Sequence, residues 1–547
     1  MRALALLLLL LLPQDKAELR VAWGTPATID PAHAGATPAG ARVAHALFTG
    51  LTAFGPDGTT PAAGAAERWS VSDDGLTWTF HLRDSRWSDG SPVTAQDFRF
   101  AWLRELLPET GSPLVFAFAP VRGAADYWED RRIDQDLLNY ESQSVSVQRA
   151  MELRFTERAT ARHAAALRSH GLGAAAAEAA KRPDVDEKRV GVEAVDARTL
   201  RVVLDAPRPT LPEELAGPAF LPVPEKLVRE KRDQWTHPQH IATNGPYRVE
   251  RWTRDELALV RASGEGPERV VLALGDHVGS MFEAYERGRV QWIEPALVPS
   301  EKAADLARRG DRRAHANFTS WHLRLNTARG PCAKPGVRRA LARAVDRGGQ
   351  LRSAEPGAEA AVGLVPPGVP GYLGASAPVQ DLGAAVRALL AEAPDLTQFP
   401  RLNLLGPKGG VPQTVVFALK DQMEKNLGIR VRTDLREGPA YRKALDEGDY
   451  DLAYAAWTGP ALDPASFLEQ FAGWSGEIDG MVAAAAKERD AAKRLVLLSR
   501  AEQALVAEDG PVVPLHTGGS VFIARPGVRA ALNPMGRVLI QHVQFTK

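Results

Sequence analysis

Two pairs of histidines have spacings at which metal chemistry is worth testing. His237 and His240 are three residues apart, a separation used at zinc sites, where two imidazoles share one ion. Pro238 lies between them and interrupts any helix, and no second pair of ligands is close in the chain, so they read as loop histidines. His163 and His170 are seven apart. Seven helical residues rise about 10.5 Å, too far for one ion, and this pair reads as a solvated helical face. "GPKGG" (Gly406–Gly410) is rich in glycine like a phosphate cradle, but no Ser or Thr follows its Lys, and it reads as an ordinary loop. "GWSGE" (Gly473–Glu477) misses the nucleophile elbow by one residue. Cys332 is the single cysteine; it can form neither an internal disulfide nor a Cys-rich metal site, and reads as a small packed hydrophobe. No H-E-x-x-H, C-x-x-C or G-x-G-x-x-G run occurs. The absence of these motifs lowers the case for an enzyme without excluding one, and no catalytic residue, metal or cofactor is expected.

The elements that would position a binding site are legible. In Trp69–Phe98 ("WSVSDDGLTWTFHLRDSRWSDGSPVTAQDF"), Leu76, Trp78, Phe80 and Leu82 alternate with Thr77, Thr79 and His81. Period two predicts a sheet with one buried face. Asp73-Asp74-Gly75 and Asp89-Gly90 are turn chemistry. Thr94 is placed to N-cap a helix, and Asp97 suits its positive end. The acids here therefore read as turns and caps, and Trp69, Trp78, Phe80 and Trp87 as core.

Around this stretch, Leu19–Ala22 predicts a strand and Ala41–Leu51 a helix. Tyr127–Lys188 is rich in Ala, Arg and Glu and predicts a helical insertion. Beyond Arg269, short strands alternate with helices, which implies an α/β sheet. A helix is expected to close at Gly428, and Tyr450–Trp457 is apolar enough for a strand buried on both faces. Strands return at the C-terminal end. The amino terminus has Arg2 and then ten apolar residues, Ala3–Leu12, stopped by Pro13. That is too short to span a bilayer and fits a secretory signal peptide, with no lipobox cysteine after it. The 547 residues imply several folding units, and 67 basic against 67 acidic residues give a net charge of +0. Nothing in that balance suits nucleic acid.

"TIDPAHA", "AAERWSVSDDGLTWTFHLRDSRWSDGSPVTAQDF", "TNGPYRVERW", "LRLNTARGPCAKPGVRRALARAVDR", "LVPPGVPGY", "QMEKNLGIRVRTDL" and "DYDLAYAAWTGPALDPASFLEQF", in this order, closely resemble the family 5 extracellular solute-binding proteins, the oligopeptide- and dipeptide-binding components of bacterial ABC importers. The resemblance covers most of the chain apart from the leader and Tyr127–Lys188. It implies an α/β, periplasmic-binding-protein-like fold (type II, three-lobed, cluster C), with two α/β lobes hinged around a cleft plus an extra lobe. The expected order is a signal peptide over 1–17, lobe I over 18–48, lobe II over 49–188 with the helical insertion at about 127–188, lobe I again over 189–266, lobe III over 267–504, and the last part of lobe I over 505–547.

The resemblance also implies a site between lobes I and III. A strand at Gly35, Ala36 and Thr37 would pair with the ligand backbone. Asn244 and Gly245 match the loop of the family's "TNGxY". Trp457 matches an aromatic lining the cleft, with Tyr454, Thr458 and Gly459 beside it. The chain departs from peptide binders where an Asp would hold the ligand's ammonium: Pro460 stands there, and Asp463 matches a different position. Tyr454 and Gly438 replace an Arg and a cleft Trp of one such binder. The expected partners are a peptide or peptide-like solute, blocked or uncharged at its amino end, and ABC permease subunits in the inner membrane; the chain is expected to be exported and monomeric. A non-peptide solute (an opine, sugar or nickel chelate) and a sensor or chaperone role are the alternatives.

Overall fold

The computed structural model describes residues 18–26, 28–35, 37–55, 61–348, 357–372, 374, 377–459, 461–507, 510–532 and 538–545. The leader, Ala36 and Pro460 lie outside the described residues. Two compact units are present: Met1–Ala303 with Ala524–Ala531 and Val538–Lys547, and Ala304–Ile523 with Leu532–Arg537.

In the first unit, strand Glu18–Trp23 is central. It pairs in parallel with Arg269–Leu274 on one side and Trp292–Ile293 on the other, and Glu256–Arg261 and Tyr247–Trp252 extend the sheet antiparallel. Lobe III was expected to begin at 267, yet Arg269–Leu274 is registered along its whole length against Glu18–Trp23, and the second unit begins only after Ala303. The strand's apolar run was legible; its partner, some 250 residues earlier, was not.

A second sheet of this unit has the order Ala66–Val71, Thr77–Leu82, Thr199–Val203, Val192–Asp196. The predicted alternation is realised: Trp78, Phe80 and Leu82 are buried while Thr77, Thr79 and His81 are half-exposed. The Asp74 carboxylate accepts from the Ser72 hydroxyl at 2.5 Å and the Leu76 N–H at 3.0 Å, and Gly75 takes φ 73°. Helix Ala95–Glu105 opens with Thr94 and Asp97 in a reciprocal cap. Asp97 does more than complement the dipole. It is buried, and it also accepts from the Glu225 N–H (3.0 Å) and the Trp87 indole N–H (3.3 Å), joining three segments. Burial raises its pKa against these bonds.

The helix expected over 41–51 spans Pro38–Leu47. Thr37 caps it by accepting the Gly40 N–H at 3.0 Å, and at its other end the Leu47 carbonyl is taken by the Gly245 N–H at 2.9 Å. The helical insertion is present as Ala124–Asn139, Val145–Arg158, Ala164–Ser169 and Gly173–Ala179. It packs on itself through Ile133, Leu137, Phe155, Leu167 and Ala176. The reading of His163 as solvated does not hold: its side chain is 2% exposed. Its Nδ1 accepts the Thr160 N–H at 3.0 Å, and the Thr160 hydroxyl donates to buried Asp130 at 2.8 Å. Asp130, 33 residues earlier in the chain, supplied a polar neighbour that helical periodicity could not reveal. His170 remains near the surface beside Glu141, at 3.0 Å.

The second unit is built on five strands in the order Val431–Arg436, Leu402–Pro407, Leu452–Thr458, Arg312–Leu325, Val512–Ala524. The first three are parallel, and Arg312–Leu325 runs antiparallel to both its neighbours. Helices Pro335–Ala344, Leu382–Glu392 and Gly410–Leu427 cover one face, packing on Leu402, Leu404, Leu452 and Tyr454. Gly438–Asp446 covers the other through Leu405 and Ala453. The expected stop at Gly428 is realised, with φ 66°. Among the described residues, no helix is long and apolar enough to cross a membrane.

Candidate functional site

Each unit holds part of the expected site. In the first, Asp30 N-caps the short helix Pro31–Ala34, and Gly35 follows it with φ −61° and ψ −16°. Thr37 caps the next helix. The strand expected at 35–37 is therefore not formed at Gly35: that residue closes one helix, and Thr37 opens the next. The cause is local, because side chains that accept N–H bonds at Asp30 and Thr37 stabilise helix starts over extended backbone. A Cβ on Gly35 would lie 2.7 Å from Leu114 Cδ1 and from Pro218 Cβ, so close packing demands glycine here.

Asn244 is committed to the scaffold. Its Oδ1 accepts the Thr49 N–H and its Nδ2 donates to the Thr49 carbonyl, both at 3.0 Å. A Cβ on Gly245 would lie 2.4 Å from the Leu47 carbonyl carbon and 2.6 Å from the Phe48 nitrogen. These two residues clamp the chain as it leaves helix Pro38–Leu47; the motif was visible in the sequence, its partner Thr49 was not.

In the second unit, Leu402–Pro407 connects through helix Gly410–Leu427 to Val431–Arg436 on one side. That strand connects through Gly438–Asp446 to Leu452–Thr458 on the other. The two crossovers lie on opposite faces, so the carboxyl ends of Leu402–Pro407 and Leu452–Thr458 flank a topological switch point. In open α/β sheets, that is where ligands bind. Tyr450–Trp457 was expected to be a strand buried on both faces; the strand is Leu452–Thr458. Leu452–Ala455 are buried, but Ala456 and Thr458 are exposed and Trp457 is half-buried, because Leu402–Pro407 pairs with it only at Leu452 and Ala453.

Tyr454 lies in the core. It is fully buried, stacked on Trp321 at 4.7 Å, and its hydroxyl meets His516 Nε2 at 3.0 Å. His516 Nδ1 lies 2.8 Å from the Thr517 carbonyl, and burial holds its pKa below the ordinary value. A neutral ring that donates from Nδ1 and accepts at Nε2 satisfies both contacts. Tyr441 donates to the Tyr454 carbonyl at 2.8 Å, and burial pushes its pKa up to about 12.

Trp457 packs with Val365, Val369 and Phe467 and donates its indole N–H to the Ser466 carbonyl at 2.7 Å. The Thr458 hydroxyl meets that of Thr319 at 2.7 Å. Gly459 is buried, and a Cβ there would come within 2.9 Å of Ser466 Cβ. Asp463 is not open to a ligand cation: Arg494 holds its two oxygens at 2.7 Å each. Trp321, not singled out in the sequence, is half-buried, packs on the core beside Tyr454 and pairs with exposed Ala456. The surface at this strand end thus offers indole, methyl and hydroxyl groups.

Elsewhere, His237 and His240 have ring centroids 5.7 Å apart, and His240 Nδ1 lies 3.1 Å from the Gln234 carbonyl. Among the described residues, no group of three or more His, Cys, Asp or Glu could hold a metal ion. Cys332 is buried, with its pKa pushed up to about 12 by burial.

Residues 60–478 match the bacterial extracellular solute-binding proteins, family 5 Middle. The probable deoxycholate-binding periplasmic protein YgiS of Escherichia coli K12 is 26% identical over 92% of this chain and 88% of its own. The periplasmic oligopeptide-binding protein OppA of the same organism is 27% identical over 89% and 84%. In three dimensions, the unliganded open form of the periplasmic murein tripeptide binding protein MppA superposes with a TM-score of 0.75 over 97% of this chain and 98% of that one, at 24% identity. The chain belongs to the bacterial extracellular solute-binding proteins, family 5.

Proposed function

We propose that this chain is the solute-capturing component of an ABC import system, taking up a peptide or peptide-like solute in the periplasm and handing it to a membrane permease. The carrying observation is the strand end at Ala456–Gly459, where a half-buried indole, a hydroxyl pair and exposed small side chains sit at a switch point. Aromatic walls bury apolar parts of a ligand, and exposed strand ends pair with its backbone. The names of OppA and MppA, both peptide binders, support the solute class. In this reading the protein is exported, monomeric and performs no reaction. Its three-lobe division follows the family, with lobes I and II in the first unit and lobe III in the second. Trp457 and Thr458 meet the solute, and Gly459, Asn244, Gly245, Gly35 and Thr37 hold the scaffold.

One observation favours a second reading within the same function. Asp463 is neutralised by Arg494, and the relative YgiS is named for a steroid acid, not a peptide. A non-peptide amphipathic solute fits such a site as well. Mass spectrometry of the solute released from natively purified protein decides: peptide masses support the first reading, a single non-peptide compound the second, and protein that neither carries nor takes up any solute would refute both.

A further inference from the structure

The indole of Trp457 is held by a relay that begins on another helix. Asp463 caps helix Pro464–Leu468 by accepting the Ala465 N–H at 2.9 Å, and its carbonyl accepts the Ser466 N–H at 3.0 Å. The Ser466 carbonyl in turn accepts the Trp457 indole N–H at 2.7 Å. Arg494, on helix Ala491–Val506, grips Asp463 with Nη1 on Oδ2 and Nη2 on Oδ1, both at 2.7 Å. The two side chains are only 14% and 16% exposed. A bidentate pair so shielded is directional in a way that a solvated ion pair is not.

Two consequences follow from this geometry. The one hydrogen-bond donor of the indole is already used, so Trp457 meets a solute with its ring faces and edges. The Asp463 charge is also cancelled. An ammonium arriving there would have to displace a guanidinium, whereas an uncharged group leaves the pair intact and avoids the cost of stranding a desolvated charge.

We propose that Arg494 is a specificity-determining residue of this site: by holding Asp463 it orients the indole of Trp457 and keeps the site neutral, so that the part of the solute received there is uncharged, an acylated amine or hydrocarbon and not a free ammonium. The inference rests on the reading that Trp457 meets the solute, and deepens it.

The test pairs a binding readout with one that needs no ligand. Wild type, Arg494→Gln, Arg494→Lys and Asp463→Asn are incubated with a tetrapeptide library prepared with free and with acetylated amino ends, and retained peptides are read by native mass spectrometry. In parallel, 5-fluorotryptophan labelling reports Trp457 by fluorine NMR, the line being assigned with Trp457→Phe. Circular dichroism confirms folding; if Arg494→Gln does not fold, Asp463→Asn, which keeps an oxygen for the cap but leaves a bare guanidinium, should weaken acetylated peptides and move the Trp457 line without strengthening free ones, and an unmoved line with acetylated binding unchanged overturns the inference. Wild type is expected to retain acetylated peptides preferentially. Arg494→Gln should weaken acetylated peptides, strengthen free ones and move the Trp457 line, with Arg494→Lys restoring part of the wild-type pattern. A wild-type preference for free amino ends overturns the inference while peptide capture stands, as does equal weakening of both forms by Arg494→Gln with the line unmoved. Retention of neither form by wild type overturns the peptide reading and the specificity claim together; the fluorine line then decides the positioning role, which a moved line supports and an unmoved line overturns.

Discussion

Replacing Asn244 by alanine separates a scaffold residue from a ligand residue. The Asn244 amide satisfies both the N–H and the carbonyl of Thr49 at 3.0 Å, where helix Pro38–Leu47 has just ended. Each such bond contributes about 0.5–1.5 kcal/mol net, and a buried backbone group left without a partner costs about 1–3 kcal/mol. Thr49 and Asn244 are half-buried, so water can reach part of the gap, and the expected loss is about 2 kcal/mol. Urea unfolding, followed by far-UV circular dichroism, should show a lower midpoint with an unchanged slope. Affinity for the captured solute, measured by titration calorimetry on the folded variant, should change by less than about threefold, or 0.65 kcal/mol. An Asn244→Ala protein that keeps wild-type stability but loses solute binding would refute the scaffold assignment and restore Asn244 to the binding site.

Three further outcomes follow from particular contacts. Gly245→Ala places a Cβ 2.4 Å from the Leu47 carbonyl carbon; backbone must shift, at about 1–3 kcal/mol, and the melting temperature should fall by more than that of Gly438→Ala, where a Cβ meets open space. Glu105 is buried and burial raises its pKa to about 8. The folded state therefore keeps a proton that the unfolded chain releases near 4.5, and this group's contribution to stability declines from about pH 4.5 to 8 and then levels. Glu105→Gln should flatten that part of a stability-versus-pH profile; an unaltered slope contradicts the assignment. Asp130→Ala removes the carboxylate that Arg162 holds at 2.6 Å and the Thr160 hydroxyl at 2.8 Å, while Arg162 keeps Asp134 and the Thr160 hydroxyl keeps His163 Nδ1. Loss of these bonds costs about 1–3 kcal/mol, so hydrogen exchange should rise across 124–179 with solute binding retained.

The sheets were the most legible part of the chain, because side-chain alternation at Trp78, Phe80 and Leu82 follows directly from strand geometry. So were the turn at Asp74-Gly75, the Thr94–Asp97 cap and the stop at Gly428, whose signals lie within a few residues of each other. Most of what failed depended on distant partners. The burial of His163 is fixed from another helix by Asp130. Tyr454 was read as part of the cleft, and its stacking on Trp321 and contact with His516 place it in the core. The Gly35–Thr37 strand was carried over from relatives against two local capping signals. For the proposed site, the resemblance named Trp457 and Thr458, while Arg494, 31 residues from Asp463 in the chain, carried no signal.

The most direct test of the central claim, that Trp457 contacts the captured solute, is calorimetric titration of that solute into wild type and Trp457→Phe. Loss of the larger ring and of its bond to Ser466 should weaken binding about tenfold, or 1.4 kcal/mol, with stability nearly kept. Equal affinities for the two proteins would contradict the account.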